Sequence, residues 1–325
     1  MDTILAVMGQ NLVSPIILSF LLGLLAALGR SSLSVPEAAA KALSIYLLFA
    51  IGFKGGASVA AHGLDARLIL SLLAGILLSF VIPVIAFLLL RFMSRLSAID
   101  AAAVAGHYGS ISIVTFVSAT AILQDSGIMS EGYMVAVAAA MEAPAILSAL
   151  WLAARSGSGG RMDAELWREV LLNGSIVLLV GAFFIGAITG EKGLSEIESF
   201  IVSPFKGVLC LFLLDMGLVA GRGLKQARGA LGLGTVCFAV VMPLVSAGLA
   251  LPLALMLGLS VGGTALLMTL AASASYIAVP AAMRVALPEA NPSIYLTLSL
   301  GVTFPFNLAL GIPVYLALAQ HIAGG

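Results

Sequence analysis

The sequence has few charged residues: Lys, Arg, Asp and Glu make up 9% of its 325 positions, whereas 61% are hydrophobic. A soluble globular domain carries about 25% charged residues, so this composition excludes a water-exposed surface over most of the molecule. The formal net charge is zero and no basic tract occurs, which argues against binding to nucleic acid or to an anionic lipid surface. We therefore expect the chain to lie within a lipid bilayer.

Cysteine is scarce: Cys210 and Cys237 are the two in the chain, and both lie in apolar runs. Neither has a His or Cys neighbour at metal-ligand spacing, so we expect small buried side chains rather than a disulfide or a metal site. The sequence also lacks HExxH, a Walker loop and GxSxG, the marks of several hydrolases and of ATP-driven pumps. We expect no enzymatic activity and no organic cofactor.

Long apolar segments dominate the chain, and each crossing of a bilayer takes roughly 20 such residues. The ten predicted spans are 11–28, 36–60, 68–92, 99–124, 132–154, 170–189, 200–221, 229–257, 259–283 and 293–320. The boundary between the eighth and ninth spans depends on length alone, because no Asp, Glu, Lys or Arg lies between Arg228 and Arg284. We place that turn at Pro252 and Gly258. The predicted fold is an all-α membrane protein.

Lys and Arg are distributed unevenly between the two sets of alternate loops. The richer set contains Arg30, Lys41, Arg91, Arg95, Arg155, Arg161, Arg168, Arg222, Lys225, Arg228 and Arg284. The opposite set contains Arg67 and Lys192. Because loops rich in Lys and Arg remain in the cytoplasm, we expect a multi-pass protein with both termini outside.

Five spans in each half of the chain would place a repeated half upside down. Residues 1–160 and 161–325 show weak signs of such a repeat: Pro144 in Met141-Glu-Ala-Pro-Ala matches Pro305 in Val302-Thr-Phe-Pro-Phe-Asn. We therefore predict an inverted 5+5 repeat, an architecture that recurs in secondary transporters.

The centres of the fourth and ninth predicted spans are rich in small polar residues, at Gly106-His-Tyr-Gly-Ser-Ile-Ser112 and Ala271-Ala-Ser-Ala-Ser-Tyr276. Such residues loosen a helix, and unwound backbone at membrane depth is tolerated where it lines a cavity. Two half-helix N-termini aimed at one point would bind a small anion, whereas freed carbonyls and hydroxyls would suit sodium. Ordinary packing of small residues is the alternative. The candidate substrate-binding residues are Gly109, Ser110, Ile111, Ser112, Ser273, Ala274, Ser275 and Tyr276.

Ionisable residues inside membrane spans are expensive and usually functional. Glu142 precedes Pro144, so its carboxylate and nearby freed carbonyls would share a sodium ion or a proton; a structural, hydrogen-bonded carboxyl is the alternative. Thr303 and Asn307 complete the predicted sodium site. Lys54 and Asp215 lie at similar depths in the two halves, and we predict that they form a buried ion pair.

Several of these stretches resemble the sodium-dependent bicarbonate transporter family of cyanobacteria and other bacteria, over nearly the whole chain. The most specific are Leu211-Phe-Leu-Leu-Asp-Met-Gly-Leu-Val, Ser273-Ala-Ser-Tyr-Ile-Ala-Val-Pro-Ala-Ala and Phe304-Pro-Phe-Asn-Leu-Ala-Leu-Gly-Ile-Pro. Glu142-Ala-Pro and Gly109-Ser110 match shorter family patterns.

The resemblance implies a protein of the bacterial inner membrane with a core and a gate domain assembled from both halves, often as a trimer. It implies inward transport of bicarbonate with sodium. Cyanobacterial members are controlled by a PII-like, nucleotide-sensing regulator on the cytoplasmic face, so the resemblance extends to such a partner. The segment from Arg155 to Glu169 is short and has no long basic tract, unlike that of photosynthetic members.

Together these features predict sodium-coupled import of a small anion, bicarbonate first, by alternating access. Two alternatives remain within transport: another small organic or inorganic anion, and sodium–proton exchange through Glu142. An alternative from another class is a membrane ion sensor or scaffold without net transport.

Overall fold

The computed structural model of the chain describes residues 13–62, 66–155, 172, 174–226, 231–276 and 278–323. Within these ranges every regular element is helical and no strand occurs, which confirms the predicted all-α class. The predicted start of the first span and most of the polar segment after Arg155 lie outside the described residues.

The described helices follow the chain in order. In the first half they are α1 (Pro15–Leu28), α2 (Glu37–His62), α3 (Ala66–Met93), α4 (Ala98–Gly109), α5 (Ile113–Asp125), α6 (Met134–Ala140) and α7 (Glu142–Arg155). In the second half they are α8 (Gly174–Ile201), α9 (Phe205–Gln226), α10 (Leu233–Met256), α11 (Val261–Ala272) and α12 (Ala278–Ala286). The last segment contains α13 (Pro292–Leu296), α14 (Phe304–Phe306) and α15 (Ile312–Ala323), joined by π-helical turns at Thr297–Thr303 and Asn307–Gly311.

Serine hydroxyls fix where the two central short helices begin. Ser97 accepts a hydrogen bond from the backbone N–H of Asp100 at the start of α4. Ser260 does the same for the N–H of Gly263 at the start of α11. Each hydroxyl satisfies a first-turn N–H that has no acceptor within its own helix.

Eight segments of the described part are long and apolar enough to cross a membrane, by length and composition. The sequence predicted ten. The two shorter apolar helices, α1 and α11, fall within the first and ninth predicted spans. The chain is therefore a multi-span helical membrane protein.

Two predicted boundaries differ from the structure. The sixth predicted span ends at residue 189, but α8 continues to Ile201 after a bend at Gly190, where φ is 60° and ψ is −150°. The turn after α10 lies at Gly258, whose φ of 63° suits glycine, as predicted. Pro252, however, lies inside α10 and not in that turn. Membrane helices tolerate an internal proline because neighbouring groups satisfy the carbonyl that it leaves free.

Four helices form one packed group, which we call the four-helix group: α1 packs along α9, α2 packs along α8, and α2 also contacts α9. Their backbones approach closely. A Cβ atom on Gly23 would overlap the Leu214 carbonyl, and one on Gly56 would overlap the Phe183 carbonyl. Such close contacts supply the van der Waals attraction that holds membrane helices together.

The remaining helices form a second group, the core group, around α4 and α11. Helix α3 packs on α4 and α7, whereas α10 packs on α11 and the last segment, and α3 also contacts α10. Residues 101–112 and 262–276 are buried without interruption. The two short helices and the breaks that follow them therefore lie in the interior of this group.

Candidate functional site at two helix breaks

The first break separates α4 from α5. Helix α4 ends at Gly109, Ser110 is extended (φ −89°, ψ 166°), and Ser112 begins α5 by accepting a hydrogen bond of 3.2 Å from the N–H of Thr115. Gly109 is packed so closely against α3 that a Cβ atom there would overlap the ring of Pro83. The small residue therefore lets α4 end directly against α3.

The second break follows α11. Ser273 is extended (φ −83°, ψ 163°), and its hydroxyl donates to the carbonyl oxygen of Leu270 at 2.9 Å. Ser275 precedes α12, and its hydroxyl oxygen accepts from the N–H of Val279 at 3.4 Å. Tyr276 is buried, with its ring 5.6 Å from that of Phe304.

Within the described ranges, two hydrogen bonds join the breaks to each other. The N–H of Ser112 donates to the hydroxyl oxygen of Ser273 at 2.8 Å. The N–H of Ser275 donates to the carbonyl oxygen of His107, also at 2.8 Å. The structure thus brings the two predicted Ser-rich stretches together. We call the place where residues 106–112 meet residues 271–276 the helix crossing.

The helix crossing contains polar groups whose bonding capacity is not used. The hydroxyls of Ser110 and Thr115 are buried and have no hydrogen-bond partner in the described part of the chain. Helices α5 and α12 both begin here, and helix geometry leaves first-turn N–H groups without intrahelical acceptors. The positive ends of two helix dipoles therefore meet at buried, unbonded hydroxyls, which is an environment for a small anion.

Glu142 lies in the first turn of α7 and is 1% exposed. Its Oε2 atom is buried without a hydrogen-bond partner among the described residues. The carbonyl oxygen of the preceding residue, Met141, accepts a hydrogen bond from the hydroxyl of Ser79. A buried carboxylate without a counter-charge is costly in a membrane protein, so the side chain of Glu142 is suited to bind a cation or a proton.

Thr303 and Asn307 are engaged elsewhere. The Thr303 hydroxyl donates to the carbonyl oxygen of Ala239 at 2.7 Å, so the hydroxyl of Tyr108, 2.6 Å away, is the donor to it. The Asn307 amide nitrogen donates to the carbonyl oxygen of Ala272 at 2.8 Å. No hydrogen bond connects either residue to Glu142 within the described ranges, so the three predicted sodium ligands are not joined in one network.

The amide oxygen of Asn307 also has a partner, because it accepts from the hydroxyl of Tyr315 at 2.9 Å. Ala272, to which the amide nitrogen binds, is the last residue of α11. Asn307 therefore holds the last segment against the start of the second break.

Lys54 and Asp215 do not form the predicted ion pair. The ammonium of Lys54 lies 4.6 Å from the centroid of the Phe205 ring, while Asp215 is 6% exposed in α9. Among the described residues, the ion pair that is present joins Lys206 to Asp125. Similar depth in two helices does not determine the direction in which the side chains point.

His107 contributes more to the crossing than its carbonyl. Its Nδ1 lies 2.7 Å from the carbonyl oxygen of Ala103, and since a carbonyl only accepts, Nδ1 carries the proton. The imidazole stacks on the ring of Tyr295 at 4.3 Å, and its Nε2 is buried without a hydrogen bond in the described part.

Sequence reasoning missed Ser79, Thr115 and Tyr108 as contributors to these contacts. Tyr108 stands beside the Gly-Ser break, and Ser79 lies one helical turn before a proline of α3, so both had a local signal. Thr115 had none beyond its place in the first turn of α5. No cluster of three or more His, Cys, Asp and Glu side chains occurs in the part of the chain that was described.

A comparison with known protein families identifies the family of the chain. Residues 15–320 match the family model described as the Na⁺-dependent bicarbonate transporter superfamily, which confirms the resemblance seen in the sequence. No individually curated protein matches the chain.

Proposed function

The chain belongs to the Na⁺-dependent bicarbonate transporter superfamily, and from this premise we propose that it is a secondary transporter that imports bicarbonate with sodium by alternating access. The protein is then a transporter and not an enzyme, and sodium and the anion are its two substrates. The lipid bilayer surrounds its helices.

The observation that carries the proposal is the helix crossing. A monovalent oxyanion needs several hydrogen-bond donors but no full positive charge, and first-turn N–H groups together with hydroxyls supply such donors. The unpartnered hydroxyl of Ser110 is the side chain best placed to bind it, with Ser112, Ser273 and Ser275 shaping the backbone around it. Gly109, Ile111, Ala274 and Tyr276 complete the proposed substrate site.

Sodium is proposed to bind at Glu142. Hard cations prefer oxygen ligands, and this buried carboxylate lies next to a backbone carbonyl that already accepts a hydrogen bond from Ser79. The bonding of Thr303 and Asn307 favours an indirect role for them, in which they hold the last segment in place. The same carboxylate supports the second candidate function, exchange of sodium for a proton.

An inverted repeat of residues 1–160 and 161–325 is proposed to underlie the transport movement. Helices α4 and α11 support it, since each has 12 residues, begins after a serine and ends before one. The packing also supports it, because exchanging the halves turns the α1–α9 contact into the α8–α2 contact. The four-helix group would be the gate domain, and the core group would move against it with the bound anion.

A further pair of contacts fits the repeat. The Ser79 hydroxyl joins α3 to the carbonyl of Met141 at the start of α7, and the Thr303 hydroxyl joins the last segment to the carbonyl of Ala239 in α10. Ser79 and Ala239 each lie one turn before a proline inside their helix. In the first half the donor lies in the helix that contains the proline, whereas in the second half that helix supplies the acceptor. The two halves would thus make equivalent contacts with donor and acceptor exchanged.

The proposal extends to the setting of the protein. The distribution of Lys and Arg supports an inner-membrane position with both termini outside. Assembly as a trimer and control by a PII-like regulator on the cytoplasmic face are proposed on the family resemblance alone. Size-exclusion chromatography with light scattering tests the first of them.

The experiment is uptake of radiolabelled bicarbonate into proteoliposomes, with and without an inward sodium gradient, at clamped membrane potential. Uptake that requires the gradient supports sodium-coupled import. Alkalinisation of the lumen when sodium is added outside, without anion uptake, would instead support sodium–proton exchange, because each entering sodium ion is exchanged for a proton that leaves. Binding of the anion without counterflow would support a membrane sensor that does not transport. Uptake of another anion, with no uptake of bicarbonate, would show that bicarbonate is not the substrate.

A further inference from the structure

A cavity of about 140 Å³ lies between the four-helix group and the core group. It runs beside α5 from Phe116, one turn after Ser112, to Gln124 near the end of that helix. It therefore leads from the neighbourhood of the helix crossing toward the loop between α5 and α6. Its polar side chains are Lys54, Ser58, Thr120, Gln124, Ser130 and Glu131.

Among the described residues that line this cavity, Lys54 is the one cation. Among the described residues its ammonium makes no ion pair and no hydrogen bond, and it lies 4.6 Å from the centroid of the Phe205 ring. A cation held among packed membrane helices is costly unless a counter-charge or hydrogen-bond acceptors compensate it. A cation–π contact supplies only part of this compensation.

Glu131 lines the same cavity but does not neutralise Lys54. One carboxylate oxygen accepts from the N–H of Ser260 at 2.7 Å, and the other accepts from the Ser260 hydroxyl at 2.9 Å. Ser260 begins α11, so the charge of Glu131 lies at the positive end of that helix. The ammonium of Lys54 is left for an anion that enters the cavity.

We propose that this cavity is a second binding site for the transported anion, in which Lys54 supplies the counter-charge before the anion reaches the helix crossing. This proposal rests on the proposed function. It gives the four-helix group, through Lys54, a role in selecting anions. A water molecule takes up about 30 Å³ of liquid, so the cavity holds an oxyanion of four heavy atoms together with a water molecule. The Gln124 amide and the Ser130 hydroxyl are neutral groups suited to its oxygens.

Substitution of Lys54 tests the site through transport kinetics. Lys54→Met is expected to raise the half-saturating bicarbonate concentration at least about tenfold, because a hydrogen bond to a charged group is lost, while half-saturation by sodium stays unchanged. Lys54→Arg, which keeps the charge, is expected to restore most of the affinity. Lys206→Gln is the matched control, since that lysine is exposed, pairs with Asp125 and does not line the cavity. Thermal unfolding in detergent checks that each variant is folded.

Chemical rescue separates charge from packing. In a chain with Cys210 and Cys237 replaced by serine, Lys54→Cys is expected to have the low affinity of Lys54→Met. An aminoethyl thiosulfonate attaches a short ammonium side chain and is expected to restore affinity, whereas a sulfonatoethyl reagent is not. Bicarbonate is expected to slow both labelling reactions.

The possible outcomes test the proposed cavity site and the proposed transport function separately. Wild-type transport with an unchanged half-saturating bicarbonate concentration in Lys54→Met and Lys54→Cys overturns the cavity site and leaves the proposed function standing. Absence of wild-type uptake overturns the proposed function. In that case protection of the Lys54→Cys protein by bicarbonate, at concentrations well above those that its lowered affinity requires, would still support anion binding in the cavity, and no protection would overturn it.

Discussion

Two buried serines, one in the break after α4 and one in α5, have opposite hydrogen-bonding states. The Ser110 hydroxyl has no partner in the described part of the chain, whereas the Ser118 hydroxyl donates to the carbonyl oxygen of Val114 at 2.8 Å. An unbonded polar group in the interior lowers the stability of the fold, so its retention fits a role in binding. Ser118 instead satisfies its own helix.

Ser110→Ala is predicted to raise the half-saturating bicarbonate concentration about tenfold, because a donor to the anion is lost. The same substitution is predicted to leave the thermal unfolding temperature unchanged or higher, since no hydrogen bond of the empty protein is removed. Ser118→Ala is the control, with transport unchanged. Equal transport by the wild type and by Ser110→Ala would show that this hydroxyl does not bind the anion.

The Lys54 and Asp215 side chains show the limit of sequence reasoning at this scale. Their predicted depth follows from their positions along α2 and α9. Whether two side chains meet depends on the rotation of each helix, which is set by packing such as the Gly56 contact with Phe183. Lys54 consequently lines a cavity, and Asp215 is not among the residues that line it.

At the scale of helices, the end of α4 depends on Gly109. Gly109→Ala is predicted to destabilise the protein by about 1–3 kcal/mol, because its Cβ would overlap the Pro83 ring and displace the break. Gly248→Ala, with open space around it in α10, is predicted to stabilise by about 0.5–1 kcal/mol. Thermal unfolding of both variants checks this, and equal stability would show that α4 does not need the small residue.

The positions of the helix breaks could be predicted, because Gly and Ser in the middle of a span act on the local backbone. Gly258 could be recognised as a turn for the same reason. Pro252 was misleading, since a proline in a membrane helix leaves a single carbonyl to be satisfied by neighbours. The π-helical turns of the last segment had no local signal and reflect packing against α9 and α10.

For the whole molecule, the distribution of Lys and Arg predicts a specific orientation. In a chain without its two native cysteines, a membrane-impermeant maleimide is predicted to label Ser195→Cys in intact cells, and Ser32→Cys only after lysis. Both serines are exposed, and they lie in loops predicted on opposite sides. The reverse labelling pattern would invert the orientation.

Coupling between sodium and the anion is also a property of the whole molecule. If both ions bind one conformation of the core group, sodium must raise anion affinity by the same factor by which the anion raises sodium affinity. Glu142 lies in α7 and Ser110 directly follows α4, so this coupling would pass through the packing of α4 on α7.

The most direct measurement is equilibrium binding of radiolabelled bicarbonate to the purified protein at several sodium concentrations, with the reciprocal titration of radiolabelled sodium. We predict that the two ions raise each other's affinity by one common factor in wild type, and that Glu142→Gln abolishes this effect while bicarbonate still binds. Bicarbonate affinity independent of sodium in the folded wild-type protein would contradict sodium-coupled transport.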